Sequence, residues 1–135
     1  GEAVVISNPM IAEDFRYIIK QRGAMLAKGW LLGVQYEALM TDNLYFQIAE
    51  HADHLADRIR ATLSELHYPL LVEGVTNQIF PILPDTLLEK LKINFTFSEQ
   101  ERVDEKHRAV RFCTSWATTD EAVDALCDEL RKLSE

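Results

Sequence analysis

Leu44, Ile48, Ala52, Leu55, Ile59, Leu63 and Leu66 recur at spacings of four, four, three, four, four and three, and nothing else limits the possible folds of this chain as strongly. That rhythm keeps one apolar stripe on one side of an α-helix of about six turns. Glu50, Asp53, His54 and Asp57 fall on the other side and point to solvent. The polar cluster Thr41-Asp42-Asn43 precedes the helix, and Tyr68-Pro69 ends it, because the residue before a proline is driven out of the helical region. The stripe must lie on a core, and the rest of the chain has to supply it.

On the N-terminal side, Ala3-Val-Val-Ile-Ser7 is rich in β-branched residues and reads as a strand closed by Asn8-Pro9. A lone terminal strand cannot bury both faces, so its place is in a sheet made by other residues, with this chain as the tail of a larger protein. From Met10 to Met40 the pattern is helical with a break at Arg22-Gly23. Gly29 and Gly33, four apart, would share a helix face and admit another backbone. On the C-terminal side, Leu70–Val72 and Gln78–Leu83 read as strands around a turn at Gly74. A short helix runs from Pro84-Asp85 to about Lys92, and Ile93–Phe97 is a third strand. Ser98–Arg108 is an exposed loop or hairpin. Pro81 within a strand argues for an edge or a bulge. The expected class is α+β: a long helical arm followed by a small antiparallel sheet with helices on one face.

The fourth strand, Ala109–Ser115, carries the chemistry. Alternation puts Ala109, Arg111, Cys113 and Ser115 on one face and Val110, Phe112 and Thr114 on the other. Arg111 is then a permanent cation in mid-strand between small side chains. Such a charge requires an anion, and a guanidinium suits a bidentate carboxylate or phosphate. Two alternatives stand beside that reading: an internal salt bridge, and a half-exposed arginine on an edge strand. Thr118-Thr119-Asp120-Glu121 has the spacing of a capping box opening the last helix, which buries Ala122, Val123, Leu126, Cys127, Leu130 and Leu133.

Several function classes fall away. The net charge of −8 on 135 residues opposes general binding to nucleic acid or to anionic membranes. No run reaches membrane-spanning length, and no signal peptide is evident, so a cytoplasmic protein is expected. Cys113 and Cys127 make neither a disulfide framework nor a zinc site, and both read as buried small hydrophobes. His51 and His54 sit at i, i+3 rather than the i, i+4 of a zincin helix, so no metal site is expected. His67 at a helix end would help the last carbonyls. Trp30 and Trp116 read as core or interface residues.

Several stretches taken together resemble the threonine aldolase and β-eliminating lyase family of fold type I enzymes dependent on pyridoxal phosphate. They are Gly1–Ile6, Phe15-Arg-Tyr17, Lys20–Met25, Ala27-Lys-Gly29, Thr76–Pro81 and Val110–Trp116, in the family's order along the whole chain. The resemblance implies the C-terminal portion of such an enzyme. Residues 1–66 would hold the remnant of a large-domain strand plus bridging helices, and 67–135 the small C-terminal α+β domain. The Schiff-base lysine would lie upstream of Gly1, leaving no catalytic residue in this chain and the fragment inactive alone. Arg111 matches the small-domain arginine that holds the substrate's α-carboxylate. That clamp would orient the bond to be broken against the cofactor ring, in aldol cleavage or in β-elimination alike.

In many aldolases of the family an arginine follows the methionine of a Gly-Gly-Gly-Met-Arg-Gln motif. Here Leu26 stands there, and Lys28, two positions on, would lie about 200° away around a helix. Arg22 and Lys28 remain weaker candidates for active-site or phosphate contacts. The expected partners are an amino-acid substrate, the N-terminal large domain and further copies of the full-length protein. The second class of function is a non-catalytic small-molecule-binding or dimerisation module.

Overall fold

The computed structural model describes residues 3–134; Gly1, Glu2 and Glu135 lie outside them. The chain divides into two compact units, Gly1–Tyr45 and Phe46–Glu135.

The first unit is helical. Residues 3–8 form no regular element, so the expected strand over Ala3–Ser7 does not form among the described residues. A strand needs a neighbour to take its backbone groups, and none is present there. Helix α1 (Pro9–Ala12) starts with Asn8 accepting from the Met10 amide at 3.0 Å and with proline at its first position. Helix α2 (Phe15–Gln21) stops at the expected break. Gly23 takes a left-handed φ of 72°, and the Gly23 and Ala24 amides donate back to the Lys20 and Ile19 carbonyls. Helix α3 is Trp30–Met40. Gly29 caps α3 from outside, and a Cβ placed on Gly33 would meet nothing within 4 Å. A Cβ on Gly29 would lie 3.3 Å from the Leu26 carbonyl oxygen, so a close backbone approach is made at Gly29, by its own turn, and not at Gly33. No residue of α1, α2 or α3 is buried.

The second unit holds the core. Helix α4 (Leu44–Glu65) follows the predicted stripe, with Ala52, Leu55, Ile59 and Leu63 all buried. Its C-terminus is closed by backbone geometry: His67 adopts φ 61°, and the His67 and Tyr68 amides reach the Ser64 and Leu63 carbonyls. The expected service of the His67 ring to those carbonyls is thus performed by the main chain. Strands β1 (Gln78–Ile79) and β2 (Ile82–Pro84) lie against β4 (His107–Cys113) in one continuous antiparallel register, from Gln78 opposite Cys113 to Pro84 opposite His107. The predicted strand over 78–83 is present but cut in two, since Pro81 has no N–H to give. Pro81 sits at neither an edge nor a bulge: Leu70 bridges it on one side, and its carbonyl accepts from Val110 on the other. That bridge is all that remains of the strand expected over Leu70–Val72.

Helix α5 (Asp85–Leu91) is followed by turns, and the third strand is β3 (Ser98–Arg102), not Ile93–Phe97. The Asn94 and Phe95 amides are still satisfied by the Leu91 carbonyl, and Phe95 and Phe97 pack on the core as half-buried rings. The polar run after them pairs with β4, shifting register between Glu99 and Glu101, and its charges guard an outer strand. Helix α6 (Asp120–Ser134) is opened by Thr119, whose Oγ1 accepts from Ala122 at 3.2 Å. The expected box begins one residue too early, because Thr118 Oγ1 accepts from Ser115 at 2.9 Å instead. Ile79, Leu83, Val110 and Phe112 share a core with α4, α5 and α6, which places the helices on one face of the sheet. Arg58 pairs with Asp120 at 2.5 Å and with Asp124, and Arg131 with Glu65 at 3.1 Å, joining α4 to α6.

Candidate anion-binding site

Arg111 lies in the middle of β4, which is the central strand because His107–Ala109 pair with β2 while Arg108–Arg111 pair with β3. The expected alternation holds from Val110 to Thr114, with the strand two residues earlier than predicted; Ala109, on the arginine's side, is buried as well. Val110, Phe112 and Thr114 are buried on the helix face, while Arg111 is half-buried on the opposite one. Ser98 stands opposite it on β3, and the shared register of β1 and β2 sets Phe80 opposite it on the other side.

Each of the other arginines of the second unit is committed to a carboxylate: Arg58 to Asp120, Arg60 to Asp57, Arg102 to Asp85, Arg108 to Asp85 and Glu99, and Arg131 to Glu65. Arg111 has no ion pair and no side-chain hydrogen bond among the described residues. The two structural readings of this arginine, an internal salt bridge and an edge-strand position, both fail. The nearest carboxylate by sheet position on the helix face, Glu99, is held by Lys92 at 2.8 Å and Arg108 at 2.9 Å. Those two cations push its acidity up, so its pKa lies below the usual carboxylate range, Lys92 contributing most. A half-buried guanidinium with unspent donors has the geometry to accept a planar oxyanion.

The end of the strand is fastened tightly. Thr114 is buried; its Oγ1 donates to the Ala52 carbonyl of α4 at 2.6 Å, and its amide donates to the Asn77 carbonyl at 3.0 Å. Asn77 Nδ2 donates to the Thr114 carbonyl at 2.7 Å and reaches Cys113 Sγ at 3.6 Å. His51 Nε2 donates to the Thr118 carbonyl at 2.9 Å. Sequence reasoning passed over Asn77 and Thr114. The signal for Thr114 was a small polar residue on an otherwise apolar strand face, which demands a partner; Asn77, before β1, carried none.

Cys127 is buried as expected, but Cys113 is exposed, since it lies on the arginine's face near the strand end. Trp30 and Trp116 are 66% and 72% exposed and pack into no core of this chain. His54 faces solvent, and no cluster able to hold a metal ion occurs among the described residues. No described helix is long and apolar enough to cross a membrane. Arg22 is the exposed C-cap of α2. Lys28 is exposed in the turn before α3, where the Gly29 amide bonds back to Leu26. The helical offset expected between Leu26 and Lys28 therefore does not apply, because this segment is not helical.

The class the structure defines is an α+β unit: an antiparallel sheet backed by helices, with one guanidinium of its central strand left uncommitted. The particular likeness is to threonine aldolases. The chain is 29% identical to a low-specificity L-threonine aldolase of a Pseudomonas species and 27% identical to that of Pseudomonas aeruginosa. Each match takes in 97% of this chain and 37% of the relative. The solved structure of a Leishmania major threonine aldolase matches with a TM-score of 0.85 and 38% identity, over 89% of this chain and 35% of that one. The chain thus spans little more than a third of the length of the relatives it matches, consistent with a C-terminal portion. No family model matches.

Two lysines of the second unit, Lys92 and Lys132, do not fit the seat of pyridoxal phosphate. A lysine that forms a Schiff base must give up its proton readily. Lys92 is driven the other way, its pKa raised first by Glu99 and then by Glu89, and Lys132 is paired with Glu129 at 3.2 Å.

Proposed function

We propose that this chain is the C-terminal region of a pyridoxal-phosphate-dependent amino-acid lyase, threonine-aldolase-like in carbon–carbon cleavage or in β-elimination. In this reading Arg111 receives the substrate's α-carboxylate. The observation that carries the reading is the uncommitted guanidinium on the central strand, in a chain whose relatives are threonine aldolases. In the full-length enzyme the cofactor would supply an electron sink for the carbanion at Cα. Two parallel N–H···O bonds from Arg111 would fix rotation about the bond between the carboxylate and Cα. That choice of rotamer decides which Cα bond is presented for cleavage.

The domain division at residues 66 and 67 belongs to the same proposal, with a large-domain strand remnant and bridging helices before it and the small domain after it. So do activity residing in the full-length, oligomeric, cytoplasmic protein and inactivity of this chain alone. Arg22 and Lys28 remain subsidiary candidates for contacts to phosphate or substrate. The exposed apolar residues of the first unit support a piece of a larger body over a self-contained binding module.

The test is Arg111→Ala in the full-length protein. We expect KM for the amino acid to rise about 100-fold, the scale of a lost bidentate charged pair, with the cofactor's visible absorbance unchanged. Loss of that absorbance, or an unchanged KM, would overturn the assignment. Separately, the 135-residue chain mixed with pyridoxal phosphate should show no borohydride-reducible attachment at a single lysine; stoichiometric attachment there would sink the claim of inactivity.

A further inference from the structure

We propose that Asn77 is the positioning residue for Arg111, acting through the end of β4. This rests on the reading of Arg111 as the carboxylate receptor. The ladder beside the arginine is incomplete. On the β1–β2 side, Phe80 and Pro81 fall between the two strands; the Val110 amide still donates to the Pro81 carbonyl at 3.0 Å, but Pro81 has no N–H to return the bond. On the β3 side, Ser98 opposite Arg111 is the last pair, and the register shifts one step further on, between Glu99 and Glu101. Beyond the arginine β4 is held by two residues of β1 and by Asn77.

Asn77 closes the strand by standing in for backbone. Its carbonyl accepts from the Thr114 amide at 3.0 Å, and its Nδ2 donates to the Thr114 carbonyl at 2.7 Å. The side-chain amide thus fills the place of the main-chain N–H that would complete a two-bond pair. The second proton on Nδ2 points toward Cys113 Sγ, 3.6 Å away and on the arginine's face of the strand. Thr114 in turn is tied to α4 through the Ala52 carbonyl at 2.6 Å. One carboxamide therefore connects the arginine's strand to the segment before β1, and through Thr114 to the long helix. A receptor held to a fraction of an ångström needs such support, because freedom in the strand spreads the guanidinium over unproductive positions.

The experiment uses the full-length holoenzyme and four variants: Asn77→Ala, Asn77→Asp, Arg111→Lys and the double variant Asn77→Ala/Arg111→Lys. Asn77→Ala should raise KM for the amino acid about tenfold with kcat within about twofold and the cofactor absorbance unchanged, as for one lost hydrogen bond to a buried partner. Asn77→Asp keeps the shape and removes the donor, so it should raise KM at least as much; it also serves if the alanine variant does not fold. In the Arg111→Lys background the Asn77→Ala change should alter KM less than about twofold, since the geometry it protects is already lost. Additive effects in the double variant, or a wild-type KM in Asn77→Asp, would overturn the proposal. If Arg111→Lys itself leaves KM unchanged, the carboxylate reading fails first. If it raises KM and the Asn77 variants do not, the positioning role alone fails.

Discussion

The two compact units of this chain use their large apolar residues in opposite ways. In the second, Leu55, Leu63, Leu83, Leu91 and Leu130 are sealed in one core shared by three helices and a sheet. In the first, Met10, Tyr17, Trp30 and Val34 remain more than half exposed, and the helices that carry them have no buried residue. A helix of four, seven or eleven residues is marginal without tertiary packing. The difference teaches that the second unit explains its own stability, while the first has an apolar composition that its own described residues leave exposed. The likeness to relatives nearly three times as long agrees with that contrast.

The largest effect should appear in amide hydrogen exchange on the isolated chain. Opening free energies follow buried contacts, so amides of α4, β4 and α6 should exchange at least ~1,000-fold more slowly than those of α1–α3. Equal protection in both units would break the comparison outright. Core truncation comes next. Leu55→Ala or Leu130→Ala, each at a site with no exposed surface, should cost about 3 kcal/mol of unfolding free energy. Trp30→Ala in the first unit should change it by less than about 0.5 kcal/mol in this chain. In the full-length protein, a Trp30→Ala cost of the same order as the core substitutions would sharpen the view that the first unit is interior surface.

The second unit was also the more legible in sequence, for the same reason. The stripe from Leu44 to Leu66 located α4 almost to the residue, because a one-sided pattern over six turns has few other solutions. Strand β4 and the sidedness of Arg111 followed from alternation against a single buried face. The misses came where tertiary pairing outweighs local composition. Ile93, Phe95 and Phe97 alternate like a strand, yet two of them serve the core from a turn, and the polar Ser98–Arg102 takes the ladder position. Ala3–Ser7 has strand chemistry and no neighbour to pair with. For the site, sequence pointed to Arg111 but not to its lack of a partner, since Glu99 lies opposite Val110 and is spent on Lys92 and Arg108. Asn77, 34 residues before the arginine, became visible only once Thr114 was found beside it.

A smaller effect probes the seam between sheet and long helix. Thr114 is one of two buried polar residues of the described core, and its hydroxyl is spent on the Ala52 carbonyl. Thr114→Val preserves the shape and removes the donor, and should cost about 1 kcal/mol. Urea unfolding followed by far-ultraviolet circular dichroism would read it. No loss at all would mean that packing alone joins β4 to α4.

The smallest effect is electrostatic and sharpens the contrast through pH. The Glu99 carboxyl is held below its ordinary value of 4.5 by Lys92 and then Arg108, Glu65 by Arg131, and Asp104, whose ordinary value is 3.8, first by the Lys106 amide and then by His107. A carboxylate whose folded pKa is depressed adds stability that is complete above the unfolded value and vanishes as pH falls through the folded one. All three groups are exposed, so each contribution is small and screened by salt. The urea midpoint of the second unit should therefore be level above about pH 5 and decline as pH drops below 4.5. The decline should be shallower in about 0.5 M salt, roughly a threefold rise in ionic strength over the physiological value. Glu99→Gln should flatten the slope further, because it removes the carboxylate that bridges α5 and β4 through Lys92 and Arg108. A midpoint that rises on acidification would show that these pairs do not set the pH response, and that the second unit's stability lies in its apolar core alone.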